Sequence, residues 1–390
     1  MTSDPHVLID DARGGAKRAL LFDRPSGEIV AHTHGEVRAA LDALRAALAD
    51  GRHAAGFIAY DAGYALEEKL VPLARQFADQ PLLWFGLFDA PRTLEQDELE
   101  DWFGDPAGVW LGRPRPKISR PDYLAAAARV REHLYDGDFY QANLTFGCDV
   151  PMIGSPRAAY AQIRSRSAAG WGGVVRYPGG WLLSASPEQF FTLRDNSLEA
   201  KPMKGTAPRF RERAADDEAA SYLLADPKQR AENLMIVDLL RNDLARVAAP
   251  GSVDVPDLFT LETYPTVFQM VSRVTATRRE GVDAVDVLTT LFPCGSITGA
   301  PKIAAMAALR ALEPEPRGAY TGAMGWLSPD GDAAFNVLIR TLEITDGKEF
   351  ARLGLGSGLV VDSVMENEWD ECLLKGNFVT ADGNEFDLIE

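Results

Sequence analysis

The stretch AKPMKGTAPR, residues 200–209, carries two lysines three residues apart. Lys201 reads as a solvated charge at a strand end. Lys204 stands inside a turn-like Pro-Met-Lys-Gly-Thr run, where a small residue would suffice. A long amine held at a turn can serve as a nucleophile once it is uncharged. A second stretch, PCGSITGAPK (293–302), crowds Gly295, Ser296, Thr298, Gly299 and Ala300 ahead of Pro301 and Lys302. Proline suits the first turn of a helix, and a helix start with free N–H groups favours a carboxylate or phosphate. A plain helix start fits the spacing equally well. A P-loop does not, because it ends in Gly-Lys-Ser/Thr and this lysine follows Ala-Pro. In GLGSGLVVDS (354–363), Gly354, Gly356 and Gly358 alternate along a strand. Such glycines mark either a ligand close to the backbone or a bulge or packing contact.

Carboxylates supply the complementary chemistry. Glu232 lies in RAENLMIVDLLRNDL, which is apolar nearly all round between 234 and 240 and is therefore expected to be largely buried. A carboxylate beside such a surface needs a partner, and Lys228, four residues earlier, is the plain one. Asp238 and Arg241 can satisfy each other. MENEWDECLLKGN (365–377) holds Glu366, Glu368, Asp370 and Glu371. These acids suit a helix start, and Glu371 can pair with Lys375 one turn on. Two carboxylates from separate helices, with water, also suit a hard cation such as Mg²⁺. Glu188 follows Ser186-Pro187 at the mouth of a strand. Arg340, in the apolar run VLIRTLEI, and Tyr320 complete the set. A buried arginine implies a bound carboxylate, from the protein or a ligand.

These residues need a scaffold. RALLFD reads as a strand, EVRAALDALRAALADG as an amphipathic helix closed by Gly51, and AAGFIAYDAGYAL as a buried strand entering a loop. Residues 1–111 thus form a smaller N-terminal α/β part fused into the body, and 112–390 form the main domain. The proline- and arginine-rich GRPRPKISRPDY (112–123) is the linker candidate. It leads into a helix capped by Ser119 or Asp122. FYQANLTFGCDV alternates like a strand, GGVVRY, GWLLSAS and QFFTLRD read as a meander, and DPKQRAENLMIVDLLRNDLARVA is a long helix. SPDGD and TDGK mark hairpin loops. Strands outnumber helices without βαβ alternation, which predicts an α+β fold with antiparallel sheets and not a Rossmann fold.

The bulk properties narrow the function. The 390 residues carry a net charge of −17 and no evident basic face, which argues against a nucleic-acid partner. Uninterrupted apolar runs stay below about 18 residues, so no membrane span is expected. The first residues lack the pattern of a signal peptide. Cys148, Cys294 and Cys372 fit neither a zinc site nor a disulfide framework, as expected of a reducing cytoplasm. His6, His32, His34, His53 and His133 all fall in the first third or so, which disfavours a Ser-His-Asp machine in the later half.

Taken together, SPEQF, KPMKGTAPR, RAENLMIVDLLRND, GSV, PCGSITGAPK, IRTL, GSGLVVDS and NEWDECLLK resemble the chorismate-utilising enzymes in order and spacing, over roughly residues 115–378. The resemblance implies an anthranilate synthase-like α+β fold, with packed antiparallel sheets around a deep active site. Lys204 points to the aminodeoxychorismate synthase (component I) branch, since anthranilate synthases usually have alanine at the matching turn. It implies attack of the uncharged Lys204 amine on C2 of chorismate while the C4 hydroxyl leaves. Glu188 would act as general acid, with a pKa raised toward neutrality. Ammonia would then add at C4 and expel the lysine. Glu232 and Glu371 match the family's magnesium ligands. Gly205, Thr206, Ser252, Ser296, Thr298, Lys302, Tyr320, Arg340, Gly356 and Gly358 match its substrate contacts. Gln141 stands where isochorismate and salicylate synthases place a water-activating lysine, which disfavours attack by water. Gln269 stands where many anthranilate synthases have histidine, and Cys294 where glycine is common. No tryptophan-binding signature is evident in the N-terminal part. The three cysteine contexts do not fit a glutaminase elbow, so ammonia is expected from a separate glutamine amidotransferase subunit or from free ammonium. A separate lyase would complete 4-aminobenzoate on the way to folate. The alternatives are anthranilate synthase component I and a non-catalytic chorismate-binding subunit.

Overall fold

A computed structural model of the chain describes residues 4–13, 18–75, 80–264, 267–380, 386 and 388. Among these residues the strands form two large antiparallel sheets. The first, of eleven strands, starts at Gly299–Ala300 and passes through Gln141–Ile153, Phe350–Leu359, Thr341–Thr345, Gly180–Ser184, Gly172–Tyr177, His6–Asp10 and Arg18–Phe22 to Arg92–Glu95. The second, of ten, runs from Met203–Pro208 through Val267–Thr277, Ser197–Ala200, Gln189–Arg194, Ala333–Val337, Ala323–Leu327, His53–Ile58 and Leu83–Phe88 to Gly27–Ala31. Strands from residues 1–111 therefore pair directly with strands from 112–390. His6–Asp10 lies on Gly172–Tyr177, and His53–Ile58 lies on Ala323–Leu327.

The alternation of side chains along each strand builds the layers. In His53–Ile58, Ala55 and Phe57 enter a core shared with Val7, Phe22, Val175 and Leu182 of the first sheet. Ala54 and Ile58 face the other way, onto helices through Leu41, Leu44 and Leu288. The outer face of the first sheet is covered by helices bearing Tyr123, Val130, Leu309 and Trp369. The result is two packed sheets with helices outside both, the α+β arrangement expected from the sequence.

Local signals explain the helices. Thr33 caps His34–Ala49 in a capping box with Glu36, and Gly51 follows its end at φ +83°. Ser119 caps Arg120–Asp136 by accepting from the Asp122 N–H.

Three expectations need correction. The stretch 112–123 is not a free linker. Gly112 N donates to Pro151 O at 2.8 Å and Lys117 N to Gly147 O at 2.8 Å, so it is stitched along the Gln141–Ile153 strand. The meander does not continue through its third strand: Gly172–Tyr177 and Gly180–Ser184 pair in the first sheet, and Gln189–Arg194 crosses to the second. Helix Pro227–Ala245 is buried on one side only, with Ile236, Val237 and Leu240 inward and Leu234 and Asp238 exposed, because it covers the outside of a sheet.

Candidate active site

Two crossings between the sheets build one wall of a cavity of about 190 Å³. The chain leaves Gly180–Ser184, turns at Ser186-Pro187 and enters Gln189–Arg194, which puts Glu188 at the crossing. It returns from Ala333–Val337 to Thr341–Thr345 through Arg340, at φ +49°. Ala185 N donates to Arg340 O at 3.0 Å and Val337 N to Glu188 O at 3.1 Å, so the crossings brace each other. Both side chains line the cavity. Arg340 thus sits at a corner and not within a strand as expected, and among the described residues no carboxylate pairs with its guanidinium. Glu188 is buried, and its Oε1 accepts from the Ser296 hydroxyl at 2.7 Å. Burial pushes its carboxyl above the usual range, against the Ser296 hydrogen bond and the charges of Lys204 and Lys375.

Lys204 faces this wall from a β-bulge. Met203 pairs with Val271 and Thr206 with Gln269, so Lys204 and Gly205 stand opposite Met270 alone. A bulge redirects the side chain it carries. Gly205 adopts φ +91°, a conformation that favours glycine.

The floor is the Phe350–Leu359 strand, and close approaches of protein groups account for its glycines. A Cβ on Gly354 would lie 2.0 Å from Cγ of Tyr320, so the tyrosine ring rests on the bare backbone. A Cβ on Gly358 would lie 3.0 Å from Nζ of Lys204 and 3.1 Å from Nε2 of Gln141. The Gln141 amide is buried, with neither its nitrogen nor its oxygen hydrogen-bonded.

The opposite rim comes from helix Met365–Lys375. Glu371 forms an ion pair with Lys375 at 2.7 Å, and Lys375 also donates to Gly356 O at 3.0 Å. Burial opposes ionisation of Glu371, but the Lys375 charge and hydrogen bond, with Lys204 and Lys228, hold its carboxyl below the usual range. Glu232 lies outside the lining. Burial raises its carboxyl, and Glu368 and Glu371 add to the rise against Lys204 and Lys228. Glu368 accepts from the Ser357 hydroxyl.

Of the residues expected from sequence, Glu188, Lys204, Gly205, Thr206, Ser296, Tyr320, Arg340, Gly356, Gly358 and Glu371 line the cavity. Three do not. The Ser252 hydroxyl is turned to Ala249 O at 2.7 Å and Thr277 O at 3.3 Å, closing a turn. Thr298 bonds to Cys294 O at 3.1 Å within its own turn. Lys302 Nζ reaches Asp243 at 2.8 Å and Leu291 O at 2.8 Å, and the helix start it opens does not border the cavity. Asn143 and Lys375 line it and were not assigned to the site. Lys375 shares a helix face with Glu371 at i,i+4, which was the available signal.

Among the described residues no three His, Cys, Asp or Glu side chains form a ready metal cage. Magnesium is commonly held by one or two carboxylates plus water and substrate oxygens. The hard-oxygen pair Glu232 and Glu371, the second of which adds to the rise of the first, fits that donor chemistry.

The profile of the chorismate binding enzymes matches residues 5–381. The chain is 36% identical over 343 residues to aminodeoxychorismate synthase component 1 of Salmonella typhimurium, covering 83% of this chain and 75% of that protein. It is 40% identical over 260 residues to aminodeoxychorismate synthase component 1 of Escherichia coli, covering 67% and 57%. Anthranilate synthase component 1 of Methanothermobacter marburgensis is 38% identical over 260 residues, covering 67% and 56%. The chain therefore spans less than two thirds of the length of the last two. Among solved structures, anthranilate synthase component I of Streptococcus pneumoniae shares the fold, with a TM-score of 0.81 at 24% identity over 94% of this chain and 93% of that one.

Proposed function

The chain belongs to the chorismate-binding enzymes, and on that premise we propose that it aminates chorismate at C4 to 4-amino-4-deoxychorismate. The observation that carries this reading is the Lys204 amine, presented from a bulge into the cavity that also holds Glu188. In the first half-reaction the lone pair of the uncharged Lys204 amine forms a bond to C2. The ring double bonds shift, and the C4–O bond breaks. Glu188 gives its proton to the departing hydroxyl, which leaves as water; its raised pKa suits a carboxyl that must arrive protonated. In the second, ammonia adds at C4, the double bonds shift back, and Lys204 leaves C2 as a neutral amine. The Glu188 carboxylate takes the proton shed by the new ammonium group.

Arg340 and Lys375 supply positive charge for the substrate carboxylates, and the Tyr320 ring bounds the cavity beside them. Glu232 and Glu371 are the side chains that would hold magnesium, whose charge neutralises the ring carboxylate when bound. Ammonia comes from a separate glutamine amidotransferase subunit, a partner that fits relatives named as component 1. The product serves 4-aminobenzoate and folate synthesis.

The similarity to an anthranilate synthase favours one second reading, amination at C2 followed by loss of pyruvate. That elimination needs a base, and among the described residues lining the cavity there is no histidine. Mass spectrometry of the product from chorismate, ammonium and Mg²⁺ decides. A product that keeps its enolpyruvyl group is expected. Fluorescent anthranilate with free pyruvate overturns the reading.

A further inference from the structure

The Lys204 side chain makes no hydrogen bond or ion pair among the described residues. Its direction therefore depends on the backbone that carries it, and that backbone is a bulge with an interrupted ladder. Gln269 spans the interruption. Its Nε2 donates to Gly205 O at 2.9 Å, and its Oε1 accepts from the Thr206 hydroxyl at 3.0 Å. The orientation of the amide is fixed, because the Gly205 carbonyl can only accept. One side chain thus holds both residues that follow Lys204. It does so from the central partner strand, Val267–Thr277, which is itself paired on further strands.

Gly205 adds to the need for such a hold. At φ +91° it is the most permissive residue of the turn, and an unsupported glycine there would let the preceding residue swing. We propose that Gln269 is the positioning residue that aims Lys204 into the cavity, by fastening the bulge with both ends of its amide. The proposal rests on the reading of Lys204 as nucleophile.

Gln269→Met tests it, since methionine matches glutamine in length and packing but has no amide. The thermal midpoint should change little. With saturating ammonium, kcat should fall about ten- to a hundredfold, the scale of a small misplacement of a reacting group, while KM for chorismate stays within about twofold. Chorismate with Mg²⁺ but no ammonia should build a covalent adduct on Lys204, followed by intact-protein mass spectrometry. Q269M should form it slower by the same factor as kcat. Thr206→Val, which removes one of the two bonds, should show a smaller loss in the same direction and serves if Q269M does not fold. An adduct formed at the wild-type rate by these variants overturns the role of Gln269 and leaves that of Lys204 intact. No adduct on the wild-type protein, together with full turnover by Lys204→Ala, overturns both.

Discussion

The Ser296 hydroxyl donates to Oε1 of Glu188 across 2.7 Å, and both side chains are buried. Cys294 Sγ lies 3.2 Å from the same hydroxyl, so the serine is held from behind. The serine bond favours the charged carboxylate and burial favours the neutral acid; burial prevails and the Glu188 pKa is raised. An acid that must donate a proton fails once pH rises through its pKa, so kcat should show an alkaline limb owed to Glu188. Ser296→Ala removes a bond to the charged form and should move that limb to higher pH. Glu188→Gln should erase it and lower kcat by on the order of 10²–10⁴-fold. A limb that stays in place in S296A refutes the link between the two residues.

Gly354 and Gly358, two of the three glycines on the cavity floor, should respond differently to alanine. At Gly354 the added methyl would stand 2.0 Å from Cγ of the buried Tyr320, a rigid ring and not the far end of a flexible side chain. Gly354→Ala should cost about 1–3 kcal/mol or more, as overpacking does, and lower the thermal midpoint. At Gly358 the nearest atom is Lys204 Nζ at 3.0 Å, the far end of a flexible side chain. Gly358→Ala should melt near the wild type and yet lose activity, because it displaces the amine. Calorimetry and steady-state rates on the two variants check the contrast.

The elements were more legible in the sequence than their assembly. The alternation in FYQANLTFGCDV and the amphipathic run closed by Gly51 are local properties, and they correspond to Gln141–Ile153 and His34–Ala49. Whether Gln189–Arg194 stays beside Gly180–Ser184 or crosses to the other sheet depends on partners far along the chain, which periodicity does not encode. The same limit acts on the site. Ser296 and Thr298 lie two residues apart among small neighbours, and only the turn geometry sends one hydroxyl to Glu188 and the other to its own backbone. Lys302 is matched to a substrate contact by resemblance alone, and its ion-pair partner Asp243 is remote in sequence, so the pairing is not legible there. The hold of Gln269 on the bulge requires the strand register, and no motif carries that.

Turnover should require a divalent cation. Burial raises the Glu232 carboxyl and its neighbours Glu368 and Glu371 add to the rise, so added positive charge nearby favours its ionised form. Treatment with EDTA should abolish product formation, and Mg²⁺ should restore it. Glu232→Gln should raise the Mg²⁺ needed for half-maximal rate while leaving the thermal midpoint of the cation-free protein unchanged or higher, since one buried like charge is gone. Full activity in EDTA excludes the role assigned to these glutamates.

Behind the cavity a buried ion pair ties its walls together. Arg317 Nη2 meets Glu313 Oε1 at 2.7 Å, with side chains only 1% and 6% exposed. The guanidinium also donates to Asn143 O at 2.7 Å and Ile297 O at 2.9 Å, and it lies 4.2 Å over the Tyr60 ring. Glu313 Oε1 in turn accepts from Thr145 N at 3.1 Å and Thr145 Oγ1 at 2.9 Å. Asn143 and Ile297 both line the cavity, so the pair fixes the strand on one side relative to the turn on the other. Arg317→Met removes the cation and strands a buried carboxylate. The expected loss of stability is about 3–5 kcal/mol, with reduced activity at temperatures where the variant is still folded. Replacing both partners, Glu313→Gln with Arg317→Met, leaves no unpaired charge and should be less destabilising than R317M alone. A urea titration of the wild type, both single variants and the double variant measures the coupling. Simple additivity of the two single losses would show that the charges act separately and that the walls are held by the other contacts.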